Sequence, residues 1–192
     1  MPGNPIARFN RCLSEARKRG APLPEAVALA TADAQGRPAV RYVLLKAADH
    51  RGFVFYTNLR SRKGRELARN PHASIAVYWD VTGHQIRIDG AVELVGDAEA
   101  DEYWTERPRG SRIASLVSQQ SATLSSRAKL DAVYRAATRR YSDGDIPRPK
   151  HWTGYRLVPA RIEFWIRREP RLHHRDLYEK KRGRWTKKLL QP

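Results

Sequence analysis

The segment "VFYTNLRSRKGREL", Val54 to Leu67, sets an apolar, aromatic run against Arg60, Arg62, Lys63 and Arg65, with Ser61 and Gly64 among them. Four cations within six residues repel one another and add nothing to a core, so the pattern asks for an anion. A strand delivering a Thr-Asn-x-x-Ser-Arg-Lys turn to a helix start offers a phosphate free backbone N–H groups, hydroxyls, and paired cations with the helix dipole behind them. Gly64 falls inside the expected helix, so this is not a P-loop, and no G-x-G-x-x-G is present. Taken alone, the run also reads as a solvated helix face. The preceding strand "RYVLLK" sharpens it. Arg41, Val43 and Leu45 share one face there, and Tyr42, Leu44 and Lys46 the other, which places a cation at each end of an apolar strand.

The elements that must position these groups follow from periodicity and punctuation. Asn4-Pro5 reads as a cap and first helical position, and Ile6, Phe9, Cys12, Leu13 and Ala16 recur at helical spacing until Gly20 and Pro22. "EAVALATAD", "PAVRYVLLKAAD" and "GFVFYTN" then read as strands joined by turns at "AQGR" and "DHRG". A short basic helix from Ser61 to Asn70 precedes "ASIAVYWDV" and "HQIRIDGAVELVG", joined across Thr82-Gly83. The middle is helical, "DAEADEYWTERP" opening with an acidic first turn that suits the dipole, then "SRIASLVS" and "SSRAKLDAVYRAATRRYSDG". "WTGYRLVPARIEFWIRRE" and runs around Leu177 and Trp185 return to strand, with a bend or edge expected at Pro159. The fold class is mainly β with α: a small antiparallel barrel with helices packed outside.

Composition bounds the function. The chain has 192 residues, is 41% hydrophobic and 30% charged, and so is globular rather than disordered. No apolar run reaches the length of a membrane span, and "MPGNPIARFNRC" is no secretory signal. The single cysteine, Cys12, excludes an internal disulfide framework and a cysteine-based zinc site, and a reducing cytoplasm fits best. A net charge of +17 calls for acidic partners, either nucleic acid or phosphorylated small molecules, although much of the excess also reads as solvated surface.

"RYVLLK", "FYTNLRSRKGREL", "HQIRIDG", "YWTERPRGSRIASLVSQQS", "IEFW" and "RLHHR" stand in the order found in the pyridoxamine 5'-phosphate oxidase family, which the chain resembles from about residue 22 to its last residue. The resemblance implies a six-stranded, Greek-key, FMN-binding split β-barrel with surrounding helices. It also implies a homodimer that holds each flavin between subunits. The implied reaction oxidises pyridoxamine or pyridoxine 5'-phosphate to pyridoxal 5'-phosphate and reduces O2 to H2O2, with no metal and no membrane or specific nucleic-acid partner. Residues 1–21 are then an N-terminal helix and 22–192 the barrel domain, with a helical insert at about 97–142 and a dimerisation and substrate segment at about 150–192.

By the same resemblance, FMN falls to Arg41, Tyr42, Val43, Leu44, Leu45 and Lys46, and to Tyr56 and Thr57. Arg62 and Lys63 match its phosphate cations, beside Ser61, while Gln85, Gln120, Ser121, Trp165 and Arg175 complete the flavin set. Substrate positions are Lys46, Tyr103, Arg107, Ser111, Arg171, Leu172 and His173. Tyr103 and Arg107, four apart, are expected on one helix face, and Ser111 near a new helix start with its N–H group on offer. Arg171 and His173 take the catalytic role, lying over the substrate ring and, on an extended segment, pointing the same way. Amide side chains can pair with the flavin's edge, and guanidinium groups suit a phosphate dianion.

Three departures are visible. His174 stands where the family has aspartate and His84 where arginine is usual, and about twenty residues precede the first strand, so a missing or rebuilt lid is expected. The runner-up activity is a related flavin oxidase acting on another ring, such as a phenazine precursor. A basic nucleic-acid-binding barrel is the remote alternative, and no stacking pattern of the single-strand-binding kind supports it.

Overall fold

Asn4 caps the first helix through its side-chain oxygen, which accepts from the Ile6 N–H at 2.9 Å, and Pro5 fills the first position, where no N–H is needed. In the computed structural model, which describes residues 3–192, this helix is α1 (Pro5–Lys18); the first two residues of the expected 1–21 segment lie outside the described residues. Its buried face carries Ile6, Phe9 and Ala16. Phe9 meets Phe53 edge to face at 5.0 Å, so α1 packs into the barrel core.

Strands β1 (Ala26–Ala32), β2 (Pro38–Asp49) and β3 (Gly52–Asn58) form an antiparallel meander, turned at Gly36 and Gly52, both at positive φ. Helix α2 (Arg62–Arg69) carries the chain back to β4 (His72–Trp79), which lies beside β1. That return is a Greek key. Strand β5 (His84–Leu94) follows, then the helices α3 (Asp97–Glu106), α4 (Arg109–Val117) and α5 (Arg127–Arg140). The chain closes with β6 (Trp152–Ile166), β7 (His174–Lys181) and β8 (Arg184–Leu189).

The order β3-β2-β1-β4-β5-β6, with β6 also paired to β3, makes a closed six-stranded antiparallel barrel; β7 and β8 extend it as a flap. Strand β6 is what splits the barrel. Up to Leu157 it pairs with β3, and from Arg161 onward with β7. Pro159 sits at that change of partner, opposite Gly90 at a register shift, where a ladder N–H is dispensable. Gly90 has no substitute there, since a Cβ would come within 2.1 Å of the Val158 carbonyl.

Alternation on β2 runs as the sequence indicates: Leu45 is buried in the core, while Val40, Tyr42 and Leu44 are exposed. Strand β3 is buried on both faces, because Phe53 and Phe55 fill the barrel and Val54 meets Ala100 of α3. A second cluster of Trp104, Ile113, Ile146 and Trp152 fastens α3 and α4 to the barrel wall. Arg156, buried on β6, adds ion pairs to Asp49 and Glu99, which tie α3 to the β2–β3 turn. No helix among the described residues is long and apolar enough to cross a membrane.

Candidate functional site

A cavity of about 540 Å³ opens between β2, β3, α3 and α4. Strand β2 supplies Tyr42, Val43, Leu44 and Lys46 to its wall, and β3 supplies Tyr56, Thr57 and Asn58. β2 bulges between Leu45 and Ala47, and Lys46 at that point stays on the exposed face it shares with Tyr42 and Leu44.

At one end lies the basic turn. Ser61 caps α2, its hydroxyl accepting from the Gly64 N–H, and is fully buried. The Arg62 N–H donates to the Ser121 hydroxyl. Two of the backbone donors expected to be free are therefore already engaged. Lys63 is different. Its ammonium is buried yet meets only neutral oxygens: Thr57 Oγ1 at 3.1 Å, Gln120 Oε1 at 3.1 Å and Ser61 Oγ at 3.5 Å. Among the described residues no carboxylate lies within ion-pairing distance of it. Burial, and then the neighbouring Arg41 charge, push it down to about 8. A buried cation held by hydroxyls and an amide, at the edge of a cavity, fits an anion such as phosphate.

Glu66 explains where the other cations go. It is buried on α2 and accepts from Thr31 Oγ1, Arg41 Nη2 and Arg62 Nε. Burial works against its charge, but these hydrogen bonds outweigh it and hold the carboxyl below its ordinary range. Arg41 thus turns inward to Glu66, and neither Arg41 nor Arg62 reaches the cavity wall. Leu45 likewise faces the core.

At the other end, Tyr56, Tyr103 and Trp152 form one aromatic cluster, with the Tyr103 and Trp152 ring centroids 4.1 and 5.2 Å from that of Tyr56 and 6.2 Å from each other. The Arg107 guanidinium lies 4.8 Å from the Trp152 ring centroid, and Lys46 Nζ 5.6 Å from that of Tyr103. Arg107 is not on the helix face with Tyr103. It caps α3 in an extended conformation, which swings it toward α4. There its Nη2 donates to Ser115 Oγ at 3.1 Å, while its buried Nε has no partner. Ser111 lines the same wall, but α4 begins earlier, at Arg109, and the Ser111 N–H is spent on the Pro108 carbonyl. Asn58, Ser115, Ser118 and Trp152 also line the cavity and were not singled out from sequence; the i+4 spacing of Ser111 and Ser115 was the available signal.

The remaining candidates form a second group. Gln85, Trp165 and Arg175 face one another across β5, β6 and β7, in register. His173 packs on Trp165, ring centroids 4.3 Å apart, and accepts from the Arg168 N–H. The segment before β7 is not extended: Arg171 has φ +88, and the His173 N–H closes a tight turn on the Arg171 carbonyl around exposed Leu172. Period-two alternation therefore does not govern where Arg171 and His173 point. None of this group lines the cavity between β2 and α4. Within one chain the two groups of candidate residues lie apart.

Comparison with known proteins bears on both halves. The sequence model of the family described as pyridoxamine 5'-phosphate oxidase matches residues 13–142, and that of the pyridoxine 5'-phosphate oxidase C-terminal dimerisation region matches 152–192. A pyridoxine/pyridoxamine 5'-phosphate oxidase from Anaeromyxobacter dehalogenans (strain 2CP-C) is 48% identical over 189 residues, covering 98% of this chain and 96% of its own. The crystal structure of PhzG from Burkholderia lata 383, in complex with tetrahydrophenazine-1-carboxylic acid, superposes with a TM-score of 0.95 at 37% identity, covering 100% of this chain and 94% of that one. A pyridoxamine 5'-phosphate oxidase-related, FMN binding protein from Nostoc punctiforme PCC 73102 shares the fold, with a TM-score of 0.80 at 20% identity and full coverage of both chains.

Proposed function

The chain belongs to the pyridoxamine 5'-phosphate oxidase family, and from that premise we propose that it oxidises pyridoxamine or pyridoxine 5'-phosphate to pyridoxal 5'-phosphate with FMN as cofactor. O2 is reduced to H2O2, and water releases the amine substrate's nitrogen as ammonia. One observation carries the reading: a single cavity holds two separate cationic positions, Lys63 at one end and Lys46 with Arg107 at the other, none paired with a carboxylate among the described residues. A phosphorylated cofactor and a phosphorylated substrate need two such positions.

Bound FMN supplies the two-electron acceptor that no side chain of this protein provides. Lys63, with Thr57 and Gln120, would hold its phosphate, and Tyr42 to Leu44 would border the ring. Lys46, Tyr103, Arg107 and Ser111 would hold the substrate phosphate against the aromatic wall and fix the ring's approach. The Arg171–His173 segment of a second copy would cover the opposite side, with Gln85, Trp165 and Arg175 completing the flavin pocket. Exposed Val40, Tyr42 and Leu44 on the outer face of β2, and the match to a dimerisation region at 152–192, support that assembly.

A second reading, oxidation of a reduced phenazine carboxylate, is favoured by the similarity to PhzG. A carboxylate could use the same Lys46 and Arg107, but it leaves the neighbouring hydroxyls without the extra oxygens of a phosphate. The FMN-loaded protein should turn over pyridoxamine 5'-phosphate and discriminate strongly against unphosphorylated pyridoxamine, measured as H2O2 release. Equal turnover of both amines, or faster turnover of a dihydrophenazine carboxylate, would favour the second reading.

A further inference from the structure

Glu163 lies on β6 between Arg87 of β5 and Arg175 of β7, on the barrel's outer face yet only 4% exposed. Its Oε2 accepts from Arg87 Nη2 at 2.5 Å and its Oε1 from Arg175 Nε at 2.8 Å. Arg175 is gripped a second time by the C-terminal segment. Its Nη1 donates to the Gln191 carbonyl at 3.0 Å, and the Leu190 N–H returns a bond to the Arg175 carbonyl at 2.9 Å. Two of the three guanidinium nitrogens are thereby immobilised, and Nη2 is the one without a protein acceptor among the described residues. In register with Arg175 stand Trp165 and Gln85, two residue pairs along from Glu163 and on the same face.

A carboxylate on a barrel's outer face has no structural need to be covered, and burying it beside two arginines carries a desolvation cost that those partners must offset. What the arrangement achieves is orientation. An unclamped arginine samples many rotamers, and ordering it when a ligand arrives weakens binding.

We propose that Glu163 is a positioning residue for the flavin: it acts with the Gln191 carbonyl to hold Arg175 so that only Nη2 is left to engage FMN. This rests on the reading of Arg175 as a flavin residue given above. Arg87 completes the clamp by orienting Glu163, and the C-terminal segment becomes part of the cofactor site without touching the cofactor.

The test is a double-mutant cycle read by FMN titration of the apo-protein, following quenching of flavin fluorescence and the visible absorption bands. Glu163→Gln keeps the shape and is expected to fold, which the melting temperature checks. It should raise the Kd for FMN by about tenfold and shift the bound flavin's bands, Arg175→Ala should do at least as much, and the double variant should be no worse than Arg175→Ala alone. Additive losses, or a Glu163→Gln protein that binds FMN as the wild type does, would overturn the clamp while leaving the function standing. An Arg175→Ala protein with unchanged affinity and spectrum would overturn the clamp and also remove Arg175 from the flavin site.

Discussion

Lys63 shows most directly how a residue's surroundings announce its ligand. Its folded pKa of about 8 lies below the ordinary 10.5, so its charge costs stability fully below pH 8, and the cost is relieved between about 8 and 10.5 as the folded form sheds its proton first. The ligand-free protein should therefore gain stability relative to Lys63→Met across that window, measured by urea unfolding at successive pH values. FMN binding should run the other way. Its Kd should rise as pH climbs past 8, because the free protein loses the cation that phosphate needs, and Lys63→Met should bind weakly at every pH with that dependence gone. A wild-type affinity flat from pH 7 to 10 would detach Lys63 from the phosphate. At Arg107, loss of the Ser115 hydroxyl removes its shortest hydrogen bond and leaves a longer one to the Ser111 carbonyl beside the contact with Trp152, so Ser115→Ala should raise KM for the phosphorylated substrate a few-fold and leave kcat and FMN content nearly unchanged. A matching fall in kcat would place Ser115 elsewhere in the chemistry.

Among the elements, α2 is the one whose placement matters most to the site. Its closeness to the preceding loop depends on Gly64, where a Cβ would stand 2.2 Å from the Leu59 carbonyl. The obstacle is backbone and cannot rotate away. Gly64→Ala should cost about 1–3 kcal/mol and displace Lys63 with the helix, so that melting temperature and FMN affinity fall together. Unchanged affinity in a destabilised variant would mean the helix start does not set the phosphate site. Helix α3 shows the opposite case. Its period suggested that Tyr103 and Arg107 share a face, but the helix ends at Glu106, and Arg107 reaches the cavity by leaving the helix. The family resemblance singled out both residues, and helical spacing did not give the geometry that joins them, because a helix end is decided by what its last carbonyls meet in the folded protein.

For the whole molecule, the proposed sharing of each site between two subunits makes a prediction that no single-chain reading shares. Arg107→Ala and Arg171→Ala homodimers should each be nearly inactive, yet mixing and re-equilibrating the subunits should recover about a quarter of wild-type turnover, since half the dimers are mixed and each repairs one of its two sites. No recovery, with exchange verified, would return both residues to one chain. Much of this protein was legible from its residues alone. Strands β2 and β4 alternate, the hairpin turns at Gly36 and Gly52 carry glycine where φ is positive, and the basic turn reads as asking for an anion, all of which are consequences of local geometry and charge. The choice among the cations was not legible: only the packed barrel shows that Arg41 and Arg62 are taken by Glu66 while Lys63 is left to the cavity. The same holds for Glu163, an ordinary acid in a strand until three strands bring Arg87 and Arg175 against it. Partner choice among like charges depends on distances between residues far apart in the chain, and those distances exist only once the sheet has closed.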